Sequence, residues 1–392
     1  MNDTVSTLAS LVAFPSICGT PNAPIMDWIE QRLAALGAHI HRVPGYDEGR
    51  SSLFASVGPD IEGGIVLSAH ADVVPVAGQP WTSDPFTLTE RDGRLYGRGS
   101  SDMKGFIACM LTAAARAATQ PLTRPLHLAI SHDEELGCVG VRSLLDFLRH
   151  EGMGAQGCVV GEPTGMEVAV AHKGKVALRL TCHGRAAHSA NPLRGINAIV
   201  LAAGMVDALQ ALQKHIASTE PHDPRFDVPF STVQTGLISG GTALNIVPDR
   251  CEIMAEIRLL PGISPQPYIA WLHEAGQRLT RDGSHGRIEI DITNAYPGLA
   301  DDPGSEFLSL GLRHARSNTT RVIDFGTEAG LFRNELGLPC IICGPGDIGR
   351  AHKADEYVTR AELAEGDRFL AELVNGLCRP GYSAAGGSMP GM

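Results

Sequence analysis

In the first part of the chain, nearly continuous apolar runs alternate with stretches whose apolar positions recur every three or four residues. The recurring spacing belongs to helices with one buried face, and the runs to strands buried on both faces. Ile25–Leu36 has the helical spacing and stops at Gly37, whereas Ser52–Val57 and Ile65–His70 read as strands. An Ala-rich helix is predicted over Gly105–Ala118, a strand over Leu126–Ser131, a helix over Val139–His150 and a short strand over Gly157–Gly161. Apolar strands separated by helices predict an α/β fold with a mainly parallel sheet flanked by helices.

The order then changes. Lys175–His183 reads as a strand, Ile196–Leu212 as a helix, Thr232–Ile238 and Arg250–Leu260 as strands, Pro265–Leu279 as a helix and Arg287–Ile292 as a strand. That β-α-β-β-α-β order is the split pattern of a small ferredoxin-like α+β unit. Between its elements, Glu220–Phe230 is rich in Pro and His and is expected to be a surface loop. Strand and helix alternate again through His352, and Thr359-Arg360-Ala361-Glu362 is a capping box opening a last helix to Cys378. The expected organisation is a large α/β domain in two parts, 1–174 and 294–378, interrupted by a smaller inserted α+β domain, 175–293. The tail 379–392, ending in SAAGGSMPGM, has no periodicity and is expected to be disordered.

A chain of 392 residues exceeds one ordinary domain, and 43% hydrophobic residues supply ample core. The net charge of −11 argues against nucleic acid and anionic membrane surfaces as partners. The N-terminal MNDTVSTLASLVAFP lacks a basic residue before its apolar stretch and stops at Pro15, so neither a secretory signal nor a membrane span is expected. Nine scattered cysteines form no disulfide-like framework and suit a reducing cytoplasm. Cys340-Ile341-Ile342-Cys343 has CxxC spacing but lies in an apolar strand, where residues three apart face opposite ways. Two core cysteines are expected there, not a redox or zinc pair.

The candidate chemistry lies at the strand ends. His70-Ala71-Asp72 closes one apolar run; His70 is placed to bind a metal, with Asp72 orienting the imidazole from behind. Asp102 sits in the Gly-rich turn GRGSSDMKG, whose spacing fits neither a P-loop nor a dinucleotide fingerprint, and it is expected to bridge two metals. Glu134 and Glu135 follow another strand; consecutive side chains diverge, so one can ligate while the other stays free as a base. Glu162 follows a third strand, and His352, in GPGDIGRAHKADE, brings a second imidazole from far down the chain. Two imidazoles and three ligating carboxylates are what a pair of divalent ions requires. Mixed nitrogen and oxygen donors without thiolate suit zinc, with cobalt or manganese as alternatives.

SAHADVVP, GRGSSDMKG, DEELG, GEPT and AHKADE, in that order, resemble the metal motifs of a family of dinuclear aminohydrolases. The family comprises acetylornithine deacetylase, succinyl-diaminopimelate desuccinylase, aminoacylase and glutamate carboxypeptidase, and the resemblance runs from about Leu8 to Cys378. It implies a zinc-exopeptidase-like catalytic domain with an inserted dimerisation domain, and a homodimer. It also implies His70 and Glu162 on one metal, Glu135 and His352 on the other, Asp102 between them, and Glu134 as general base. HGRAAHSANP resembles a segment whose histidine, here His188, stabilises the oxyanion. NIVPDRCEIMAEIR offers Asn245 and Arg258 for the substrate, and GTEAGLF offers Gly326 and Thr327 for its carboxylate.

GGTALNIVPDRCE, GTEAGLF and CGPG…AHKADE look most like the acetylornithine deacetylase branch, which implies an N-acyl amino acid substrate, N²-acetyl-L-ornithine. The alternatives are a desuccinylase, with Arg179 or Arg185 as the extra cation, or another N-acyl amino acid hydrolase or dipeptidase. A metal- or amino-acid-binding protein without activity is the alternative of another class. An unligated acid beside the metals argues against it.

Overall fold

The computed structural model describes residues 3–281, 286–379 and 382; the tail SAAGGSMPGM lies outside them. The chain divides into two compact units. One comprises the residues up to Ala171, Leu299–Val322 and the chain from Thr327 onward; the other comprises His172–Gly298 and Ile323–Gly326.

The first unit begins with α1 (Thr4–Val12), α2 (Ala23–Ala34), β1 (His39–Pro44), β2 (Ser51–Val57), β3 (Gly64–His70), β4 (Thr89–Arg91) and β5 (Arg94–Tyr96). It continues through α3 (Lys104–Ala117), β6 (Leu126–Ser131), α4 (Val141–His150), β7 (Ala155–Pro163) and β8 (Ala169–His172). The second unit is built from β9 (Gly174–His183), α5 (Ala198–Thr219), β10 (Thr232–Gly240), β11 (Arg250–Leu259), α6 (Gln266–Thr280) and β12 (Arg287–Tyr296). The chain closes with α7 (Glu306–Ala315), β13 (Arg321–Ile323), α8 (Ala329–Leu336), β14 (Cys340–Gly344), β15 (Tyr357–Thr359) and α9 (Arg360–Leu377).

The large sheet has the order β1-β2-β6-β3-β7-β14-β8-β13. Its central strands β6, β3, β7 and β14 are parallel; β2 and β8 flank them antiparallel, and β1 pairs antiparallel with β2. The expected α/β class and mainly parallel sheet are what the chain adopts. β3 is buried along its whole length, which explains its apolar run. Leu8 and Leu11 of α1, Ile29 and Leu33 of α2, Phe106 and Met110 of α3, and Phe369 and Leu373 of α9 share one core with Ile65, Leu67 and Leu128. Outside that core, α4 and α8 pack on each other and on β2, β6, β7 and β14. In the capping box of α9, the Thr359 hydroxyl accepts from the Glu362 amide at 3.1 Å and Glu362 accepts from the Thr359 amide at 2.7 Å.

In the second unit the antiparallel order β10-β11-β9-β12 is that of a ferredoxin-like sheet. Val176, Leu178 and Leu180 of β9 and Ile253 and Ile257 of β11 bury one face against α5 and α6. α5 runs past Leu212 to Thr219 because Ile216 continues the buried stripe of Met205, Leu209 and Leu212. Asn197 caps its start, accepting from the Ile199 and Val200 amides.

Candidate metal centre

β6, β3, β7 and β14 are adjacent and parallel, so their carboxyl ends lie along one edge of the sheet, where open α/β sheets gather their ligands. His70 is the last residue of β3, Glu162 lies near the end of β7, and Glu134 and Glu135 follow β6. Asp102 occupies the turn before α3, and His352, with a left-handed φ of 62°, lies in the loop after β14.

Two groups of donors converge. His70, Asp102 and Glu162 place one atom each within 4.8 Å of one another, and so do Asp102, Glu135 and His352. Asp102 belongs to both: its Oδ1 is 3.1 Å from His70 Nε2, and its Oδ2 is 3.3 Å from His352 Nε2. Glu162 Oε1 is 3.7 Å from His70 Nε2, and Glu135 Oε1 is 3.0 Å from His352 Nε2. His70 Nδ1 donates to the main-chain carbonyl of Asp72 at 3.0 Å, which leaves the Nε2 lone pair directed at the donor group. The Asp72 carboxylate is 3.5 Å from Nδ1. Its two oxygens accept instead from the Glu134 and Glu135 amides, at 3.2 Å each. Glu134 lies outside both donor groups, and its Oε1 accepts from the Cys138 thiol at 3.3 Å.

Two buried acids escaped the sequence reading. Glu356 is 1% exposed and accepts from the amides of Gly99, Ser101 and Asp102 and from Arg98. Glu328, also 1% exposed, accepts from the hydroxyls of Ser68 and Ser131 on β3 and β6. Both lie inside motifs singled out for a neighbour, AHKADE and GTEAGLF. Their being acidic within an otherwise functional motif was the available signal.

The centre gathers more carboxyl groups than there are cationic side chains beside them. Among the described residues, the cationic side chains within ion-pair distance of Asp102, Glu135 and Glu162 are the two imidazoles, and none lies at that distance from Glu134 or Glu328. Burial, with Asp102 nearby, pushes Glu162 well above the carboxylate range and raises Glu135 as well. Burial lifts Glu134 to about 8, against the pull of His70 and with help from Glu135 and Glu328. Hydrogen bonds to Asp102 and Glu135 raise His352 to about 10; His70 is raised well above its usual value by Asp102 and Asp72 despite its burial. Clustered acids with two imidazoles directed among them are a donor set that divalent cations fit.

The remaining candidates lie elsewhere on the chain. His188, in the second unit, is exposed and pairs with Ile246 in an isolated bridge; its Nδ1 accepts from the Ala190 amide at 3.0 Å. Asn245 is exposed, and its carbonyl accepts from the Ser189 amide. Arg258 donates to Glu256 at 3.1 Å and to the Tyr296 hydroxyl at 3.2 Å. Gly326 lies against that same ring: a Cβ there would stand 2.4 Å from the Tyr296 hydroxyl. Thr327 is fully buried in the first unit, and its hydroxyl accepts from the Ala329 amide at the start of α8.

The family model for Peptidase family M20/M25/M40 matches residues 66–376. Over 391 residues the chain is 35% identical to acetylornithine deacetylase of Myxococcus xanthus, spanning 96% of this chain and 99% of that protein. An M20 family metallo-carboxypeptidase from Sulfolobus solfataricus has the same fold, with a TM-score of 0.77 at 18% identity over 95% of this chain and 99% of that one. A dinuclear metal binding peptidase of the M20 family from Bacillus subtilis gives a TM-score of 0.67 at 16% identity, over 95% and 96% of the two chains. Fold, donor set and relatives together define a metal-dependent amide hydrolase. The chain belongs to the M20/M25/M40 peptidase family.

Proposed function

We propose that this enzyme removes the acetyl group from N²-acetyl-L-ornithine, giving ornithine and acetate. The observation that carries the hydrolytic reading is a pair of donor groups sharing Asp102, with Glu134 beside them and in neither. The substrate is supported by the 35% identical relative named acetylornithine deacetylase. His70 and Glu162 would hold one divalent cation, Glu135 and His352 the other, and Asp102 both; zinc suits these donors best, with cobalt or manganese as alternatives. Such ions, when bound, supply Lewis acidity at a carbonyl oxygen and ease the ionisation of water.

The chain's own groups do the rest. Glu134, with Oε1 engaged by Cys138, takes the proton of the attacking water at Oε2 and delivers it to the leaving nitrogen as the C–N bond breaks. His188 accepts at Nδ1, so its neutral tautomer carries hydrogen on Nε2, the donor required by a developing oxyanion. Arg258 and the Gly326-Thr327 segment anchor the α-carboxylate and fix the orientation of the amide. Parallel assays on acetylornithine, succinyl-diaminopimelate and dipeptides test the substrate. Acetylornithine as the poorest of the three would overturn this branch of the proposal.

The second unit supports a homodimer. β10 is an edge strand carrying exposed Leu237 and Ile238, and exposed Ile199 and Val200 open α5. An apolar edge strand invites a second copy to pair antiparallel across a two-fold axis. Sedimentation of Leu237→Lys should give monomers where the parent gives dimers; a monomeric parent would remove the proposal.

A further inference from the structure

The carboxylate of Glu356 is fully engaged beneath the turn that carries Asp102. Its Oε1 accepts from the amides of Ser101 and Asp102 at 2.9 and 3.0 Å, and its Oε2 accepts from the Gly99 amide at 2.9 Å and from Arg98 Nη1 at 2.7 Å. Three amides of one four-residue turn therefore converge on a single anion. Gly99 makes this possible with a φ of +79°, a left-handed conformation that turns its N–H inward with the others. Arg98 and Glu356 are each 1% exposed, so the charge on the carboxylate is held by an equally buried partner.

Arg98 extends the same construction to the second imidazole. It donates to the carbonyl of Lys353 at 3.3 Å and to Gln79 Oε1, and Gln79 Nε2 donates to the carbonyl of His352 at 3.0 Å. Glu356 follows His352 by four residues, so the chain segment that supplies one ligand also supplies the anchor for the Asp102 turn. All of these contacts lie within the first unit.

We infer that Glu356, clamped by Arg98, is a positioning residue that presets Asp102 between the two donor groups, so that removing it weakens both metal sites together. The inference rests on the proposed reading of Asp102 as the shared ligand. Gln at position 356 keeps the shape but turns an NH₂ toward N–H donors on one side of the carboxylate, which forces the turn to shift. An outer partner of this kind changes metal affinity by about 10- to 100-fold.

The test measures the dissociation constants of both Zn²⁺ ions by titration against a chelator on the full-length protein. Elemental analysis is run in parallel, well below each variant's melting temperature. Expected results are weakening of both sites in Glu356→Gln and in Asp102→Asn, and of one site in His352→Ala. Glu356→Gln should add nothing in the Asp102→Asn background. Asp367→Asn, which disturbs a hydrogen bond between Thr4 and α9, serves as a folding control and should bind both ions as the parent does. Parent affinities in Glu356→Gln, weakening of one site only, or an additive effect with Asp102→Asn would each overturn the inference. Parent affinities in Asp102→Asn would instead overturn the shared-ligand reading. If Glu356→Gln does not fold, Glu356→Asp, which withdraws the same charge from the amides by one methylene, is judged by the same outcomes.

Discussion

Asp72 holds Glu134 through the backbone. Its Oδ1 accepts from the Glu134 amide and its Oδ2 from the next amide, Glu135, while its own carbonyl receives the hydrogen of His70 Nδ1. One residue thus serves both: its carbonyl makes the nearer contact with the imidazole, and its carboxylate, 3.5 Å from the same ring nitrogen, holds the acidic pair.

Asp72→Asn separates the two tasks. The carbonyl that orients His70 is untouched, but one amide of the acidic pair must face an NH₂. We expect kcat to fall by roughly 10- to 100-fold, the range for lost outer contacts at metal sites, with two metals per chain retained. Elemental analysis beside steady-state kinetics checks this. Loss of a metal from Asp72→Asn would mean that the carboxylate, and not the carbonyl, orients His70.

Glu134 makes no contact that a metal ligand needs, so Glu134→Ala should bind two metals normally. Turnover should fall by at least about 10²- to 10⁴-fold, the usual contribution of a general base. A variant that loses metal while keeping its residual rate would contradict the role given to Glu134.

Glu328 governs a pH effect in the metal-free protein. Burial raises its carboxyl to about 7, offset in part by the Ser131 hydroxyl and His70. Between an unfolded value near 4.5 and about 7 the native state binds the extra proton, so this group makes stability fall as pH rises through that window. Gln at the same place stays neutral. Metal-free Glu328→Gln should therefore gain on the order of 3 kcal/mol over the parent at pH 8, and the gain should vanish as pH falls toward 4.5. Chelated samples compared by urea unfolding at both pH values decide it; an equal difference at both would show that the carboxyl does not titrate in this window.

The parallel core of the fold was legible because β3, β6, β7 and β14 are buried on both faces and their apolar runs end at chemistry. His70, Glu162 and the Glu134-Glu135 pair announced themselves as polar residues closing such runs. The edge strand β1, HIHRVP, is half-buried and polar, and β8 is four residues long, so neither has a pattern to detect. α1 buries Leu8, Leu11 and Val12 fully, but Ser and Thr fill the positions between and Pro15 follows closely, so its helical spacing is faint in the sequence. Glu356 and Glu328 had only their place inside functional motifs to mark them, for a different reason. Their partners are backbone amides and hydroxyls hundreds of positions away, which leave no periodic trace in a sequence.

Gly326 and Tyr296 provide the last test, because their contact links the segment proposed to bind the substrate carboxylate to Arg258. A Cβ at 326 would lie 2.2 Å from Cε2 of the Tyr296 ring, and that ring is almost fully buried, so the ring must move. The Tyr296 hydroxyl accepts from Arg258 Nη1, so displacing it releases one restraint on the guanidinium. Binding made equally in ground and transition states appears in KM alone. Gly326→Ala should therefore raise KM for acetylornithine by about tenfold with kcat little changed, the size expected from one weakened ionic hydrogen bond of about 1.5 kcal/mol. In an Arg258→Met background the same substitution should raise KM much less, since the group it acts through is gone. Equal increases in both backgrounds would separate Gly326 from Arg258 and leave the ring contact a matter of packing.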